Sequence, residues 1–241
     1  MPALKDRRIT NCVRYVLDDW LPPVMREFRP LNQLMARLFH GRRFDLDFKR
    51  KAHRMTDAEF SAAYARLPHG RERPYRDTDM TEGQMGWMLA EAAGPMILEV
   101  GCGHGHLARR LAMLANSNIT ATDLSYENVR FVAAHAQSLG RSVNVAAANI
   151  ERLPFADKSF DTTLCAHALE HVRDFDRAVA ELVRVTRSRL LVIVPCQRYY
   201  RYTIDYHLHF FPEPEQLILR MGLARHHCVK IQGDLCYRAL L

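Results

Sequence analysis

The spacing of apolar and polar positions predicts alternating strands and helices from residue 81 to the end of the chain. Short stretches rich in apolar and β-branched residues at 96–98, 119–122, 160–166 and 190–194 are typical of strands. Between these runs, apolar residues recur every three or four positions, as they do in helices with one buried face. Thr81, Ser125 and Asp174 are the predicted caps of three of these helices, and the last helix is predicted over 211–221. Strands that alternate with helices build a doubly wound, mostly parallel sheet. We therefore predict an α/β fold for residues 81–241.

The first 80 residues show helical spacing throughout. Apolar residues recur at helical intervals in two stretches, one that ends before Pro22 and one that includes Leu34, and Thr56 and Glu59 form the capping-box pattern of a third helix. Because these helices have no evident core of their own, we expect residues 1–80 to form a cap that packs on the α/β domain. Dimerisation and contact of the basic helices with a membrane surface are the alternatives.

The most informative stretch is the predicted strand, turn and helix at 96–111. Three glycines at alternate positions, Gly101, Gly103 and Gly105, separate the apolar strand from the helix. Such a turn lets the backbone approach a ligand at the N-terminus of the helix. A dinucleotide requires the spacing G-x-G-x-x-G, and His106 stands where its third glycine is needed. The turn therefore favours another ligand.

Two carboxylates beside this turn define that ligand further. Glu99 precedes the first glycine by two residues, where it suits a ligand with an ammonium group better than one with two phosphates. Asp123 follows the next predicted strand, about 20 residues on, where an acid binds the diol of a ribose. An amine and a ribose without phosphates are the features of S-adenosylmethionine.

Four motifs, in this order, resemble class I S-adenosylmethionine-dependent methyltransferases, in particular the small-molecule "type 11" subgroup. They are E-V-G-C-G-H-G at 99–105, T-D-L-S at 122–125, L-P-F-A-D-K-S-F-D at 153–161 and A-L-E-H-V at 168–172. The resemblance covers residues 81–241. It implies a Rossmann-like, doubly wound, seven-stranded sheet that ends in an antiparallel strand. It also implies methyl transfer from S-adenosyl-L-methionine, with S-adenosyl-L-homocysteine as the product.

The resemblance implies a set of cofactor-binding residues at the carboxyl ends of the strands. They are Glu99, Gly101, Cys102, Gly103, Gly105, Asp123, Leu124, Asn149, Ile150 and His167. The family usually has aspartate at the position of Asn149, where the side chain bonds the adenine amino group. The asparagine carbonyl can also accept that bond. Arg76, in the polar segment before the first core helix, is a further candidate, for the carboxylate of the cofactor.

Two histidines are the candidate catalytic residues, since methylation of a hydroxyl requires a base. His167 directly follows the fourth predicted strand, at the edge where open α/β sheets bind ligands. His207 lies in D-Y-H-L-H-F-F at 205–211 and matches a family histidine before the last helix. The alternative for His167 is a residue that lines the site through its backbone. We expect His171 to be structural, because a helical register at 168–172 turns it away.

Composition narrows the classes of protein to consider. Hydrophobic residues make up 48% of the chain and charged residues 25%, which is ordinary for a folded protein. No apolar run has the length of a transmembrane helix. The six cysteines form no C-x-x-C pair, which predicts a reducing cytoplasm. The twelve histidines show no evident ligand set along the sequence, so we expect no metal site.

The formal net charge of +7 fits an anionic partner but also an ordinary basic surface. A nucleic-acid substrate is disfavoured, because residues 165–168 read C-A-H-A and lack the box that holds the exocyclic amine of a base. We predict O-methylation of a small molecule or a glycan-type acceptor in the cytoplasm. A quinone- or phenol-type methyltransferase at a membrane surface and a non-catalytic cofactor-binding regulator are the alternatives, and the oligomeric state is open.

Overall fold

The computed structural model describes residues 22, 24, 27–40, 45–65, 78, 80–114, 117–199 and 206–241. At its centre lies a seven-stranded sheet. Its strands are β1 (Met96–Val100), β2 (Asn118–Asp123), β3 (Asn144–Ala147), β4 (Phe160–Ala166), β5 (Thr186–Pro195), β6 (His226–Ile231) and β7 (Asp234–Leu240).

The strand order is β3-β2-β1-β4-β5-β7-β6. The first five strands of this order pair in parallel, and β7 is antiparallel to both of its neighbours. The chain reverses direction along the sheet between β1 and β4, which is where doubly wound sheets bind their ligands. The predicted Rossmann-like, mostly parallel sheet is confirmed.

Helices cover both faces of this sheet. The helices are α1 (Arg29–His40), α2 (Phe48–Ala52), α3 (Asp57–Ala65), α4 (Glu82–Glu91), α5 (His106–Leu111), α6 (Tyr126–Ser138), α7 (Phe175–Val185) and α8 (Pro214–Met221). Ile97 and Leu98 show the division into two layers, since they are neighbours on β1 but belong to separate apolar clusters. The side of Leu98 is covered by α7 and α8, and that of Ile97 by α4, α5 and α6.

Polar residues begin several helices where the sequence predicts them. Thr81 and Gln84 form a reciprocal capping box at α4. The side chains of Ser125 and Asp174 accept hydrogen bonds from the first turns of α6 and α7, with N···O distances of 3.3 and 3.0 Å. Each cap satisfies a backbone N–H that has no partner within the helix. Among the described helices, none combines the length and the apolar character needed to cross a membrane.

Two helical predictions near the strand ends are wrong. The last helix begins at Pro214 rather than at Phe211, because Phe211 is buried and its carbonyl accepts a bond from the Gln197 N–H in an extended segment. Proline then starts the helix, at a position that needs no N–H. After β4, residues Leu169–His171 form one turn of 3₁₀ helix instead of an α-helix.

Helices α2 and α3 pack against the segment that follows β5. Phe48 stacks on Tyr206 with ring centroids 4.1 Å apart, and Phe60 lies in the same apolar cluster. The guanidinium of Arg173, beyond β4, donates to the Met55 carbonyl over 2.8 Å and also pairs with Asp57. On α1, Leu34 is 56% exposed, although its spacing places it on the predicted apolar face. The helix predicted before Pro22 lies outside the described residues.

The docking of α2 depends on Phe48, which is 2% exposed. Replacing Phe48 by alanine should destabilise this docking by about 3–5 kcal/mol, as for other buried phenylalanines. Limited proteolysis should then cut residues 45–65 at much lower protease concentrations than in the wild type. Phe28→Ala is the matched control, because Phe28 is 58% exposed. Equal protease resistance of the two variants would contradict the packing described here.

Candidate active site

The turn between β1 and α5 contains three glycines with positive φ: 76° at Gly101, 50° at Gly103 and 71° at Gly105. A Cβ on Gly101 would lie 2.6 Å from the Cβ of Ala168, and one on Gly105 would lie 2.6 Å from a methyl group of Val132. A Cβ on Gly103 would meet no described atom within 4 Å. Gly101 and Gly105 therefore permit close packing, and Gly103 faces open space that a ligand can enter.

Asp123, at the end of β2, anchors this turn. One carboxylate oxygen accepts the Gly103 N–H over 2.8 Å. The other accepts the Ser125 N–H over 2.8 Å and the side-chain amide of Asn128 over 3.1 Å. The same carboxylate thus connects the glycine turn to the start of α6. These bonds fix the turn without a bound ligand. The next residue, Leu124, is 37% exposed.

Glu99 is 4% exposed and lies on β1 directly before the turn. Its Oε2 accepts no hydrogen bond from the described residues. Burial raises the pKa of Glu99 to about 8, and nearby Asp123 adds to the increase, although the Ala108 N–H and Arg109 oppose it. A buried carboxyl with an unsatisfied oxygen is costly, and a cationic ligand would relieve that cost. The side chain of Cys102 is also buried, and burial raises the pKa of its thiol.

The side-chain carbonyl of Asn149 is already engaged. Its Oδ1 accepts the Glu151 N–H over 2.9 Å. The amide nitrogen, which can only donate, therefore points away from Glu151. One lone pair of Oδ1 remains for a ligand donor. Ile150 is partly buried and packs on the apolar cluster below. The pair lies just beyond β3, whose end is joined to β2 by the bond from the Ala148 N–H to the Asp123 carbonyl.

His167 lies at the end of β4 and has a φ of 52°, which is uncommon for a residue with a side chain. Its ring sits between two buried carboxylates. Nδ1 is 3.4 Å from Glu170 Oε1, and Nε2 is 3.5 Å from Asp234 Oδ2 at the start of β7. Asp234 also accepts the side-chain amide of Gln84 over 2.8 Å. The ring of His167 is therefore directed inward, with 11% of the side chain exposed.

Three histidines surround Glu170, which is 1% exposed. Burial alone would raise the pKa of this carboxyl, but His167 at Oε1, together with the charges of His171 and His207, lowers it to about 2. The ring of His171 meets that of His207 edge-on, with centroids 4.7 Å apart. The expectation that His171 turns away from the site is wrong, because the 3₁₀ turn points it differently from an α-helix.

Hydrogen bonds orient the rings of His171 and His207. Nδ1 of His207 lies 2.7 Å from Gln197 Oε1, and Nδ1 of His171 lies 3.1 Å from the Tyr206 carbonyl. A carbonyl oxygen accepts only, so each Nδ1 donates, and in a neutral ring the lone pair is then on Nε2. The backbone of the same segment is tied down, because the N–H groups of Leu208 and His209 both donate to the Glu170 carbonyl.

The structure brings most of the predicted site residues to one edge of the sheet. Gly101, Asp123, Asn149 and His167 all follow the carboxyl ends of neighbouring parallel strands, and His207 approaches from the segment after β5. Arg76 lies outside the described residues. Sequence reasoning missed Glu170 and Gln197. Glu170 was visible within A-L-E-H-V, but only the fold shows that it is buried beneath His207.

Comparison with known proteins places this geometry in a family. Residues 98–194, from β1 to β5, match the family model described as "Methyltransferase domain". A ubiquinone biosynthesis O-methyltransferase from Rickettsia prowazekii is 36% identical over 98 residues, 41% of this chain and 38% of that protein. The O-methyltransferase rstn1 of Aspergillus nomiae is 33% identical over 119 residues, 48% of this chain and 53% of that protein. This chain thus spans about half or less of these relatives.

Among solved structures, a SAM-dependent methyltransferase from Aquifex aeolicus matches with a TM-score of 0.55 at 16% identity. The match covers 82% of this chain and 99% of that one, and it supports the fold. Residues 98–194 thus match a methyltransferase-domain family, in agreement with the class I S-adenosylmethionine-dependent family and the cofactor that the four motifs predict. The α/β fold agrees as well.

The raised pKa of Glu99 predicts a pH dependence of stability. The folded protein holds this proton more tightly than the unfolded chain, so the stability that Glu99 contributes is complete below its ordinary pKa of 4.5 and is lost as the pH rises to about 8. Between pH 5 and pH 8, the free energy of unfolding of the wild type should therefore fall relative to that of Glu99→Gln. Urea unfolding of both proteins without cofactor measures this difference.

The control for this experiment is Glu127→Gln, at an exposed position on α6. Its free energy of unfolding should stay parallel to that of the wild type across the same pH range. If Glu99→Gln also runs parallel to the wild type, Glu99 is not protonated in the folded protein near neutral pH.

Proposed function

We propose that the protein transfers the methyl group of S-adenosylmethionine to an oxygen atom of a small-molecule acceptor. The observation that carries this proposal is the position of the glycine turn and the histidine cluster, which lie at the same edge of the sheet. Cofactor and acceptor can therefore meet there. The two relatives named above are O-methyltransferases, and one of them acts in ubiquinone biosynthesis, which favours a phenolic, quinone-type acceptor over a glycan.

The residues of the turn fit S-adenosylmethionine, which supplies an activated methyl group when bound. Glu99 would face the ammonium group, since its buried Oε2 accepts no hydrogen bond from the described residues. Asp123 would bind the ribose diol, and the backbone at Gly103 would border the ligand. The other members of the proposed cofactor set are Gly101, Cys102, Gly105, Leu124, Asn149 and Ile150. Arg76 keeps its proposed role toward the cofactor carboxylate.

The protein's own task in this reaction is to align the acceptor oxygen, exclude water and accept the hydroxyl proton. His207 and His167 are the proposed bases. One observation favours His207 for contact with the acceptor: its Nδ1 donates to Gln197 Oε1, so Nε2 is the nitrogen that could accept a proton. His167 lies between Glu170 and Asp234, which favours a role in positioning the site.

We also propose that residues 1–80 form a cap over the acceptor site and that residues 81–241 form the methyltransferase domain. The support is the contact of α2 with the segment that carries His207, through Phe48 and Tyr206. Lys49 of the same helix lies 3.4 Å from the ring centre of Tyr199 and 4.1 Å from that of Phe210. This surface offers aromatic and cationic contacts to an acceptor ring.

We propose that the reaction takes place in the cytoplasm. The described cysteines are free thiols, which favours the cytoplasm. The basic N-terminal helices are the proposed contact with a membrane surface if the acceptor is a lipid-linked quinone precursor.

The ribose assignment of Asp123 is testable with a ligand that lacks the diol. Asp123→Ala should weaken binding of S-adenosylhomocysteine by an order of magnitude or more, since a charge-assisted bond contributes about 1.5–3 kcal/mol. Part of that loss will come from the turn, because Asp123 also holds the Gly103 N–H. The 2′,3′-dideoxy analogue separates the two effects, since only the turn contributes to its binding. Calorimetry should show a larger effect of the substitution on the parent ligand, and equal effects would refute the assignment.

The proposed bases are tested by single-turnover methyl transfer from labelled cofactor. The acceptors are a phenol with neighbouring hydroxyls, a polyketide phenol and an oligosaccharide. Replacing the base by alanine should slow transfer about 10²–10⁴-fold and leave the dissociation constant of the cofactor nearly unchanged. We expect the larger effect for His207→Ala.

The exposed His227 on β6 provides the control variant. If both His207→Ala and His167→Ala retain wild-type rates, neither histidine is the base. Tight cofactor binding without transfer to any acceptor of the panel would instead favour the non-catalytic regulator.

A further inference from the structure

We infer that Glu170, His171 and His207 form a binding site for one divalent transition-metal ion, with Zn²⁺ as the best match to the donor set. One ligand atom from each residue lies within 4.8 Å of the other two. Two imidazoles and one carboxylate are a ligand set of zinc sites that keep an open position. Tetrahedral ligands about 2.1 Å from zinc lie roughly 3.4 Å apart, so modest side-chain rotations complete the site.

The orientation of both histidines is that of metal ligands. A metal-bound histidine commonly donates its second ring N–H to a carbonyl or a carboxylate, which fixes the ring and its tautomer. His171 does so toward the Tyr206 carbonyl, and His207 toward the side-chain carbonyl of Gln197. In a neutral ring with this orientation, Nε2 is the nitrogen that can bind a metal. Nε2 of His171 lies 4.0 Å from Glu170 Oε1.

The carboxylate of Glu170 supplies the negative charge. Neither of its oxygens accepts a hydrogen bond of normal geometry from the described residues, although the side chain is 1% exposed. Nδ1 of His167 is 3.4 Å from Oε1. A buried carboxylate requires a compensating cation, and a metal ion at the three ligands would supply it.

The ligands come from two segments that the fold holds together. Glu170 and His171 lie on the 3₁₀ turn after β4, and His207 lies 36 positions further along the chain. The bonds from Leu208 and His209 to the Glu170 carbonyl, at 2.7 and 3.1 Å, fix one segment on the other. This separation explains why the sequence shows no metal-ligand spacing, and the inference replaces our expectation of no metal.

The chemical role of the ion rests on the proposed function. Three protein ligands leave a coordination position for the acceptor oxygen, and a bound cation lowers the pKa of a hydroxyl that it binds. The hydroxyl proton would then leave to solvent or to a neighbouring base. In the metal-bound protein, His207 serves as a ligand and not as the base. Its loss would slow methyl transfer in either case, so metal binding has to be measured directly.

The test is binding of Zn²⁺ to the metal-stripped, untagged full chain, without cofactor or acceptor. Equilibrium dialysis with elemental analysis should give one bound zinc per chain at micromolar free metal. His171→Ala and His207→Ala should each weaken binding at least tenfold, whereas His227→Ala, at an exposed position, should not. Co²⁺ as a second probe should give visible absorption bands that the two ligand variants lose. Retained binding of S-adenosylhomocysteine shows that each variant is folded.

Unchanged zinc affinity in both ligand variants, or no stoichiometric zinc in the wild type, would overturn the inference. The outcome is separable from the proposed function, since it needs no turnover. Zinc binding without methyl transfer to any acceptor would support the metal site and contradict the proposed function. Methyl transfer at full rate by stripped protein in the presence of a chelator would overturn the role of the ion in activating the acceptor.

Discussion

Buried and partly buried carboxylates lie at one edge of this sheet, and each needs a compensating partner because charge is costly away from water. Asp123 obtains its partners from the protein, since three N–H donors surround it. Glu99 does not, and burial raises its pKa to about 8. The same edge therefore contains an acid that stabilises the turn and an acid whose charge is left for a ligand. In our proposal, this difference suits the turn to a cationic cofactor.

At the ends of β4 and β7, the compensating partners of the buried carboxylates are histidines. Glu170 and Asp234 are both buried, and His167 lies between them within 3.5 Å of each. His171 and His207 complete the surroundings of Glu170. Hydrogen bonds to a backbone and an amide carbonyl orient the rings of His171 and His207. In the proposed methyl transfer, this cluster beside the turn would align the acceptor.

The pattern of the sequence was sufficient for the sheet, the caps and the glycine turn, because these depend on local spacing. Strand β4 begins and ends at the predicted residues, and Thr81, Ser125 and Asp174 begin helices as predicted. The histidine cluster could not be predicted from the sequence, since its geometry depends on a 3₁₀ turn and on contacts between residues 36 positions apart. The engagement of Asn149 with the Glu151 N–H was equally invisible, because it depends on the local path of the backbone.

The central claim is that the buried carboxyl of Glu99 receives the ammonium group of the cofactor. Calorimetric titration with S-adenosylhomocysteine at pH 7, in buffers of different ionisation enthalpy, measures the protons exchanged on binding. A carboxyl with a pKa of about 8 is mostly protonated at this pH and must ionise to pair with the ammonium. Because the pKa of Glu99 is linked to cofactor binding, we predict that the wild type releases close to one proton and that Glu99→Gln releases none. The same proton count in both proteins would contradict it.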